Sequence, residues 1–260
     1  MKVLALVGSD RKDGNTARIV QIVDARMRAL ASAHGVVLEF ETLFLADHAV
    51  RPCRGCRACF DHGEERCPID DDVALVRAKM DAAEGVIVAS PVYVDDVSGR
   101  IKNWMDRLAY LSHRPAMGGK CAFTLATVGG SPTTRTLRTM DGALLTWGCH
   151  LVGRAGFKMG ARATREDLPR FRPSAERVAD ELFVAIASNR ALRPAFVSFM
   201  VFRIQKVVWQ REPVGSYDRA YWEAQGWLSS GCAFYAPHRA HPIKVALARL
   251  AGSVVHRFVA

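Results

Sequence analysis

The stretch that decides the fold is "KVLALVGSDRKDGNTARIVQIVDARMRALASAHG" (2–35), at the start of the chain. Residues 2–9 are almost continuously apolar and lead into a turn, which is typical of a strand buried on both faces. Residues 16–35 carry apolar side chains at helical spacing and close on a glycine. A buried strand that runs directly into a helix is the first unit of an α/β sheet.

The same alternation continues along the chain. It predicts further strands at 36–43, 86–91, 120–130 and 150–160, and further helices at 70–85, 97–111, 133–148 and 173–189. Five strands separated by helices favour one parallel sheet that is covered on both faces. Sheets of this kind bind ligands at the carboxyl ends of their strands, so the loops at those ends are the candidate site.

Composition narrows the class of protein. The chain has 260 residues, of which 50% are hydrophobic and 24% charged, and these values exclude disordered and fibrous classes. "MKVLALVG" (1–8) leads into a turn rather than a cleavage site, and no apolar run is as long as a membrane span. We therefore expect a cytoplasmic protein with reduced cysteines. The net charge of +10 is spread out, so we expect no nucleic-acid partner.

The first strand-end loop is "GSDRKDGNT" (8–16), which matches neither the Walker A motif nor the dinucleotide fingerprint. It offers polar side chains, a flexible glycine and a helix N-terminus, and this combination suits a phosphate monoester. An ordinary loop capped by Asn15 or Thr16 stays open as an alternative. The loops at 89–99 and 126–133 add an aromatic face at Tyr93 and a glycine pair, although either loop could be a plain turn.

These loops carry a family resemblance. "GSDRKDGNT", "SPVYVDDVSGRIKNWMDR" and "TVGG" resemble the flavin-holding loops of flavodoxin-like NAD(P)H-dependent FMN reductases, and "CRGCRACFDHGEERCPIDDD" resembles their iron-sulfur flavoprotein branch. The resemblance covers roughly residues 1–190 and implies a flavodoxin-like three-layer α/β sandwich with strand order 2-1-3-4-5. It also implies that FMN is bound by Ser9, Arg11, Gly14, Asn15, Thr16, Pro91, Val92, Tyr93, Thr127, Gly129 and Gly130.

The function implied by this resemblance is FMN-dependent oxidoreduction. Electrons would pass between NAD(P)H or a protein donor and an acceptor, with the cofactors supplying the chemistry and no catalytic side chain. Two alternatives stay open. One is a non-enzymatic, flavodoxin-like electron carrier, and the other is a flavin- or zinc-binding redox sensor.

Four of the seven cysteines, Cys53, Cys56, Cys59 and Cys67, form the pattern C-x2-C-x2-C-x7-C. Two-residue spacings allow one short loop to supply three thiolates, so we expect a 4Fe-4S cluster whose four sulfurs converge within a few ångströms even without metal. A zinc site usually has two separated cysteine pairs, and disulfides are disfavoured by compartment and loop length. A loop without metal also stays open.

Three further features have local interpretations. We expect Asp70, Asp71 and Asp72 to cap the following helix. Asp106 and Arg107 are expected to form a local ion pair on the helix that follows the second flavin loop. The remaining cysteines, Cys121, Cys149 and Cys232, are expected to behave as small apolar side chains.

The chain divides into a flavodoxin-like FMN-binding domain (1–190), with a cysteine-rich loop at 51–68, and a basic, mostly helical extension (191–260). The extension has nine Lys/Arg against three Asp/Glu. Its apolar stripes at 195–210 and 241–258 are expected to be buried against the domain or a second subunit, and we expect a homo-oligomer, a dimer or tetramer. Contact with an anionic membrane surface is the less favoured alternative.

Overall fold

The computed structural model describes residues 1–160, 163–188 and 194–259, with side chains described as far as residue 255. The strands are β1 (Lys2–Val7), β2 (Glu39–Phe44), β3 (Gly85–Tyr93), β4 (Asp96–Val97), β5 (Cys121–Val128) and β6 (His150–Lys158). The helices are α1 (Asn15–Ala33), α2 (Ala58–Asp61), α3 (Val73–Ala82), α4 (Gly99–Arg107), α5 (Thr134–Thr146), α6 (Leu168–Ala187), α7 (Phe196–Arg211), α8 (Tyr217–Ala224) and α9 (Pro242–Val259).

The five long strands form one parallel sheet in the order β2-β1-β3-β5-β6. Counted along the chain without the short β4, this is the order 2-1-3-4-5, so the predicted flavodoxin-like fold is confirmed. The two-residue strand β4 pairs antiparallel with the end of β3 and was not predicted.

Helices cover both faces of the sheet. Val3, Ala5 and Val7 of β1 belong to the core under α1 and α6, whereas Leu4 and Leu6 belong to the core under α3, α4 and α5. Because successive strand residues point to opposite faces, a strand buried on both faces must be apolar at nearly every position. This is the physical reason for the continuous apolar run at the start of the chain.

Helix α6 begins at Leu168, five residues before the predicted start at residue 173. The predicted helix has Pro173 as its first residue, a position where proline is common. The structure instead has Pro169 in the first turn and Pro173 inside the helix. Pro169 costs no helical hydrogen bond, because the first N–H groups have no partner within the helix, whereas Pro173 leaves one carbonyl of the first turn without its usual donor.

The extension has an aromatic core of its own, which includes Phe199, Phe202, Trp209, Trp222, Trp227, Phe234 and Tyr235. It is fastened to the segment after α4, where Trp222 Nε1 donates to the His113 carbonyl at 2.7 Å and Tyr221 Oη donates to the Pro115 carbonyl at 3.2 Å. Lys206 is buried and donates to the Cys232 carbonyl at 2.8 Å. The predicted domain boundary at residues 190 and 191 lies outside the described residues.

One stripe of α9 is left exposed on the single chain. Ile243, Leu247, Leu250 and Val254 are 63%, 54%, 64% and 45% exposed, although the other side of α9 packs on α7. The single chain therefore does not bury this stripe of α9, and its burial against a second subunit stays a prediction. In the part of the chain that the structure describes, no helix is both long and apolar enough to cross a bilayer.

Candidate functional site

The three loops at the carboxyl ends of β1, β3 and β5 surround one pocket of about 210 Å³. Of the residues predicted to bind flavin, all except Gly130 line this pocket: Ser9, Arg11, Gly14, Asn15, Thr16, Pro91, Val92, Tyr93, Thr127 and Gly129. Val128 and Gly160 also line it and were not predicted. Gly160 follows β6, which ends at the same edge of the sheet, and this position is the signal that could have identified it.

Side-chain contacts hold the loops together. Pro91 and Thr127 are opposite each other in the ladder between β3 and β5, and the Thr127 hydroxyl is 2.7 Å from the hydroxyl of Thr16. The Ser98 hydroxyl donates to the Gly8 carbonyl at 2.6 Å. A Cβ on Gly8 would lie 2.2 Å from Ile101 Cγ1, so a glycine is required where the end of β1 passes α4.

The N-terminus of α1 has no capping side chain. Gly14 is the N-cap residue, and no side chain accepts a hydrogen bond there, so neither Asn15 nor Thr16 is the cap. The Ser9 hydroxyl lies at the base of the loop and accepts a hydrogen bond from the Arg11 N–H at 3.2 Å. Backbone N–H groups at a helix N-terminus, a hydroxyl and a guanidinium form a donor set that fits a phosphate monoester.

A strained hairpin carries the aromatic part of the site. The turn between β3 and β4 has positive φ at Val94 (46°) and Asp95 (67°), which is an outlying conformation for a β-branched residue. It positions Tyr93, 52% exposed, at the pocket. Strain of this kind persists only where the surrounding structure imposes it, and it is often found at binding sites. The open aromatic face fits a planar ring.

The cysteine loop is a second candidate site. Cys53 and Cys56 are exposed, and Cys59 and Cys67 are half-buried. Burial raises the pKa of Cys59, and the charges of Cys67 and Cys53 raise it further. The N–H of Gly55 donates to Cys53 Sγ at 3.4 Å. Thiols supported by nearby donors fit the chemistry of an iron-sulfur site.

The expected convergence of the four sulfurs is not found. Among the described residues, no group of three or more Cys, His, Asp or Glu side chains could hold a metal ion as it lies. Thiolates repel one another, and a thiolate site is generally formed together with its metal. The backbone is left-handed at Gly55 and at Arg57, the residue before the short helix α2, which carries Cys59.

Two buried arginines, neither of which was predicted to do so, hold the cysteine loop. Arg107 pairs with Asp71 and donates to Cys67 Sγ at 3.6 Å. Arg114 pairs with Asp218 and with Glu64, and donates to the Cys59 carbonyl. These arginines tie both halves of the cysteine loop to the domain.

The local ion pair predicted for Asp106 and Arg107 is wrong. Asp106 pairs with Lys102 one turn away, whereas Arg107 faces the cysteine loop. Adjacent residues of a helix point in different directions, so a single local pair cannot use both.

The acidic residues at 70–72 precede α3, and two of them also accept hydrogen bonds from the backbone at the start of the cysteine loop. Asp71 accepts from the N–H of Val73 at 3.1 Å and from the N–H of Arg51 at 2.8 Å. Asp72 is the N-cap residue of α3, but its carboxylate accepts from the Ala49 N–H at 2.7 Å and makes no cap bond. The expected capping role is thus only partly correct.

The other cysteines lie apart from this loop. Burial raises the pKa of Cys121 to about 11 and that of Cys149 to about 12. Both therefore stay protonated at neutral pH, in line with the expectation that they are small apolar side chains. Cys232 is half-buried in the extension.

Comparison with known proteins agrees with this geometry. The NADPH-dependent FMN reductase family matches residues 1–163. An iron-sulfur flavoprotein of Methanocaldococcus jannaschii is 39% identical over 138 residues, which are 52% of this chain and 67% of that protein. An iron-sulfur flavoprotein of Methanosarcina thermophila is 36% identical over 132 residues, 50% of this chain and 64% of that protein.

A solved oxidoreductase from Corynebacterium diphtheriae has the same fold, with a TM-score of 0.53 and 19% identity over 73% of this chain and 98% of that one. The chain spans about two thirds of the length of the two iron-sulfur flavoproteins, and the extension lies outside the family match. By the family match over residues 1–163 and the similarity to these iron-sulfur flavoproteins, the chain belongs to the NADPH-dependent FMN reductase family of oxidoreductases and, within it, to the iron-sulfur flavoproteins.

Proposed function

We propose that this protein is an FMN-dependent oxidoreductase that takes electrons from NAD(P)H or a redox protein and passes them on by way of the cysteine loop. The observation that carries the proposal is the single pocket formed by the three strand-end loops, with an uncapped helix N-terminus on one side and Tyr93 on the other. Residues 1–190 form the FMN-binding domain in this proposal, and the protein works in the cytoplasm, where its thiols stay reduced.

The chain's own residues bind and orient the cofactor. The first-turn N–H groups of α1, with Ser9, Arg11, Asn15 and Thr16, bind the phosphate. Pro91, Val92 and Tyr93 would hold the flavin ring together with Thr127 and Gly129, and Gly130, which does not line the pocket, is given no contact. When bound, FMN supplies the redox chemistry, and we assign no catalytic side chain.

Steady-state oxidation of NADH and NADPH by the FMN-loaded protein, with an artificial electron acceptor, tests the enzymatic proposal. We expect turnover with at least one of the two nucleotides. A protein that binds FMN and exchanges electrons with redox proteins, but oxidises neither nucleotide, is instead the electron carrier.

The cysteine loop is proposed to hold a 4Fe-4S cluster on Cys53, Cys56, Cys59 and Cys67. The spacing, the Gly55 N–H and the positive charge of Arg107 beside Cys67 support this proposal, because a cluster carries negative charge on its sulfurs. Iron, zinc and flavin should be quantified on one anaerobic preparation together with its absorption spectrum. Stoichiometric zinc without iron would favour the redox sensor.

Replacement of Cys59 by alanine should remove the iron and leave FMN bound, because the two sites use different loops. Iron content and flavin content are measured on the same sample, with Cys232→Ala as the matched control. Cys232 is a half-buried cysteine of the extension, and its loss should change neither content. Full iron retention in Cys59→Ala would remove this thiol from the ligand set.

We propose that the exposed stripe of α9 is covered by a second copy of the chain. Ile243, Leu247, Leu250 and Val254 are spaced four, three and four residues apart, the seam spacing by which helices pack in coiled coils. The substitutions Leu247→Glu and Leu250→Glu together should reduce the mass measured by light scattering to that of one chain.

The matched control for this pair is Val214→Glu, which changes an exposed residue outside α9 and should leave the mass unchanged. If the mass does not change in the double variant, but co-sedimentation with anionic liposomes is lost, the stripe contacts a membrane surface and not a second copy.

A further inference from the structure

The start of α8 packs on the cysteine loop. Gly63 of the loop is buried and has a φ of 105°, and a Cβ there would lie 2.5 Å from the hydroxyl oxygen of Tyr217. The Phe60 ring of α2 lies 4.5 Å from the ring of His113, and the Trp209 ring of α7 lies 4.9 Å from that same ring, measured between centroids. The extension therefore contacts the second half of the cysteine loop directly through α8 and, by way of His113, through α7.

A buried guanidinium joins the loop to the extension. The side chain of Arg114 is 2% exposed and lies over the ring of Tyr217, 4.7 Å from its centroid. One terminal nitrogen donates to the Cys59 carbonyl and, at 3.1 Å, to Glu64, both in the loop. The other terminal nitrogen donates to Asp218 of α8. Arg114 thus fixes the backbone at Cys59 relative to the extension.

Asp218 is the more deeply buried of the two carboxylates that pair with Arg114. Its side chain is 12% exposed, whereas that of Glu64 is 45% exposed. The second oxygen of Asp218 is 2.7 Å from His113 Nδ1, so the carboxylate is itself held in position. A buried cation that loses its buried partner is strongly unfavourable, and an exposed pair compensates little of that loss. Without the charge of Asp218, Arg114 should turn towards solvent and release the Cys59 carbonyl.

From these contacts we infer that the extension completes the cysteine site, because Asp218 acts through Arg114 to hold Cys59 in its place in the loop. Asp218 is a positioning residue in this inference and not a metal ligand. Its consequence for a cluster rests on the function proposed above, but the contacts that carry it belong to the chain without metal. The inference gives the extension, which lies outside the family match, a share in the site.

Alkylation of the metal-free, full-length protein with N-ethylmaleimide tests the positioning, and mass spectrometry gives the rate at each cysteine. Asp218→Asn removes the charge and keeps the size of the side chain. We expect Cys59 to react about tenfold faster in this variant than in the unchanged protein, because the loop opens more often. Cys53, which is already exposed, should react at the same rate in both proteins, and the buried Cys149 should stay unreacted.

The matched control is Glu223→Gln, which breaks an ion pair with Arg219 at 2.7 Å in the same helix α8 and should leave the Cys59 rate unchanged. Arg114→Met should raise the Cys59 rate by itself, and adding Asp218→Asn to it should raise the rate no further, since both substitutions remove the same contact. Equal Cys59 rates in Asp218→Asn and the unchanged protein, or effects of the two substitutions that simply add, would overturn the inference.

Reaction of Cys149 in Asp218→Asn would mean that the variant unfolds. In that case Tyr217→Ala carries the test, because it changes a residue that is 39% exposed and removes the ring that covers Arg114. A faster reaction of Cys59 with Cys149 still protected is again the expected result, and an unchanged Cys59 rate is the result that contradicts the inference.

Reconstitution with iron and sulfide tests the consequence for the metal. The visible absorption of the loaded protein should decay about tenfold faster in Asp218→Asn when a chelator is added, and Asp218→Glu, which restores a carboxylate, should recover part of the loss. Identical decay in Asp218→Asn and the unchanged protein would also overturn the inference. If the unchanged protein takes up no iron, the cluster proposal fails, and the alkylation rates by themselves decide whether Asp218 positions Cys59.

Discussion

Replacing Asn15 by aspartate and Thr16 by alanine in one variant should raise the Kd for FMN about 100-fold or more. Asn15 and Thr16 are the first two residues of α1 and line the pocket to which we assign the phosphate. The variant adds a negative charge beside a phosphate and removes the Thr16 hydroxyl. The loss of that hydroxyl also breaks the 2.7 Å contact with Thr127, which joins the first loop to the third.

The Kd is measured by titration of flavin fluorescence, and Lys12→Ala is the matched control. Lys12 lies in the same loop, pairs with Asp47 at 2.8 Å and does not line the pocket. Loss of this exposed charge should change the Kd by no more than about threefold. Equal FMN affinity in the double variant and the unchanged protein would refute the assigned phosphate site.

Replacing Arg107 by methionine should lower the free energy of unfolding by about 3–5 kcal/mol. The side chains of Arg107 and Asp71 are 2% and 1% exposed, so the substitution leaves a buried carboxylate without its partner. It also removes the bond to the Arg51 carbonyl at 3.0 Å and the contact with Cys67, which hold the two ends of the cysteine loop. Chemical denaturation measures the change.

The control for this substitution is Arg172→Met, which breaks an exposed pair with Glu176 and should cost no more than about 0.5 kcal/mol. Adding Asp71→Leu to Arg107→Met should recover part of the loss, because no unpaired charge is then buried. A loss below about 1 kcal/mol in Arg107→Met alone would mean that the pair is not buried in the folded protein.

The stability that the pair of Asp71 and Arg107 contributes should fall at low pH. Burial alone would raise the pKa of Asp71, but Arg107 and the N–H groups of Arg51 and Val73 outweigh it, so the pKa lies below its ordinary value of 3.8. The carboxylate therefore contributes stability above that value and loses it as the pH falls through the lowered pKa. The difference between the unchanged protein and Arg107→Met should be full at neutral pH and shrink as the pH falls from the pKa of Asp71 in the variant, where Arg107 no longer lowers it, to the lowered pKa in the unchanged protein.

Local patterns were sufficient for the main sheet and not for the hairpin at its edge. β1, β3 and β5 were recognisable because burial on both faces makes each of them apolar along most of its length, whereas the edge strand β2 is buried only at Phe40 and Leu43. Strand β4 has two residues, and its turn uses left-handed backbone at Val94 and Asp95, where glycine or asparagine would be the usual signal. The turn contains no glycine or asparagine that would indicate its left-handed conformation.

The contacts of Arg107 and Arg114 with the cysteine loop could not be predicted either, and the reason is different. Arg114 contacts Cys59, Glu64 and Asp218, which are 50 or more residues away along the chain. Arg107 contacts Asp71, which is 36 residues away. Pairs at such separations leave no periodicity in the sequence, and only the folded chain brings them together.

By itself, the sequence determined the order of strands and helices and the edge of the sheet where the flavin loops meet. It could do so because periodicity is a local property and parallel strands place their carboxyl ends at one edge. Tertiary structure decided how the cysteine loop is clamped, where the extension packs and which stripe of α9 stays exposed. Each of these depends on side chains that are distant in sequence and close in space, so their contacts exist only after the chain has folded.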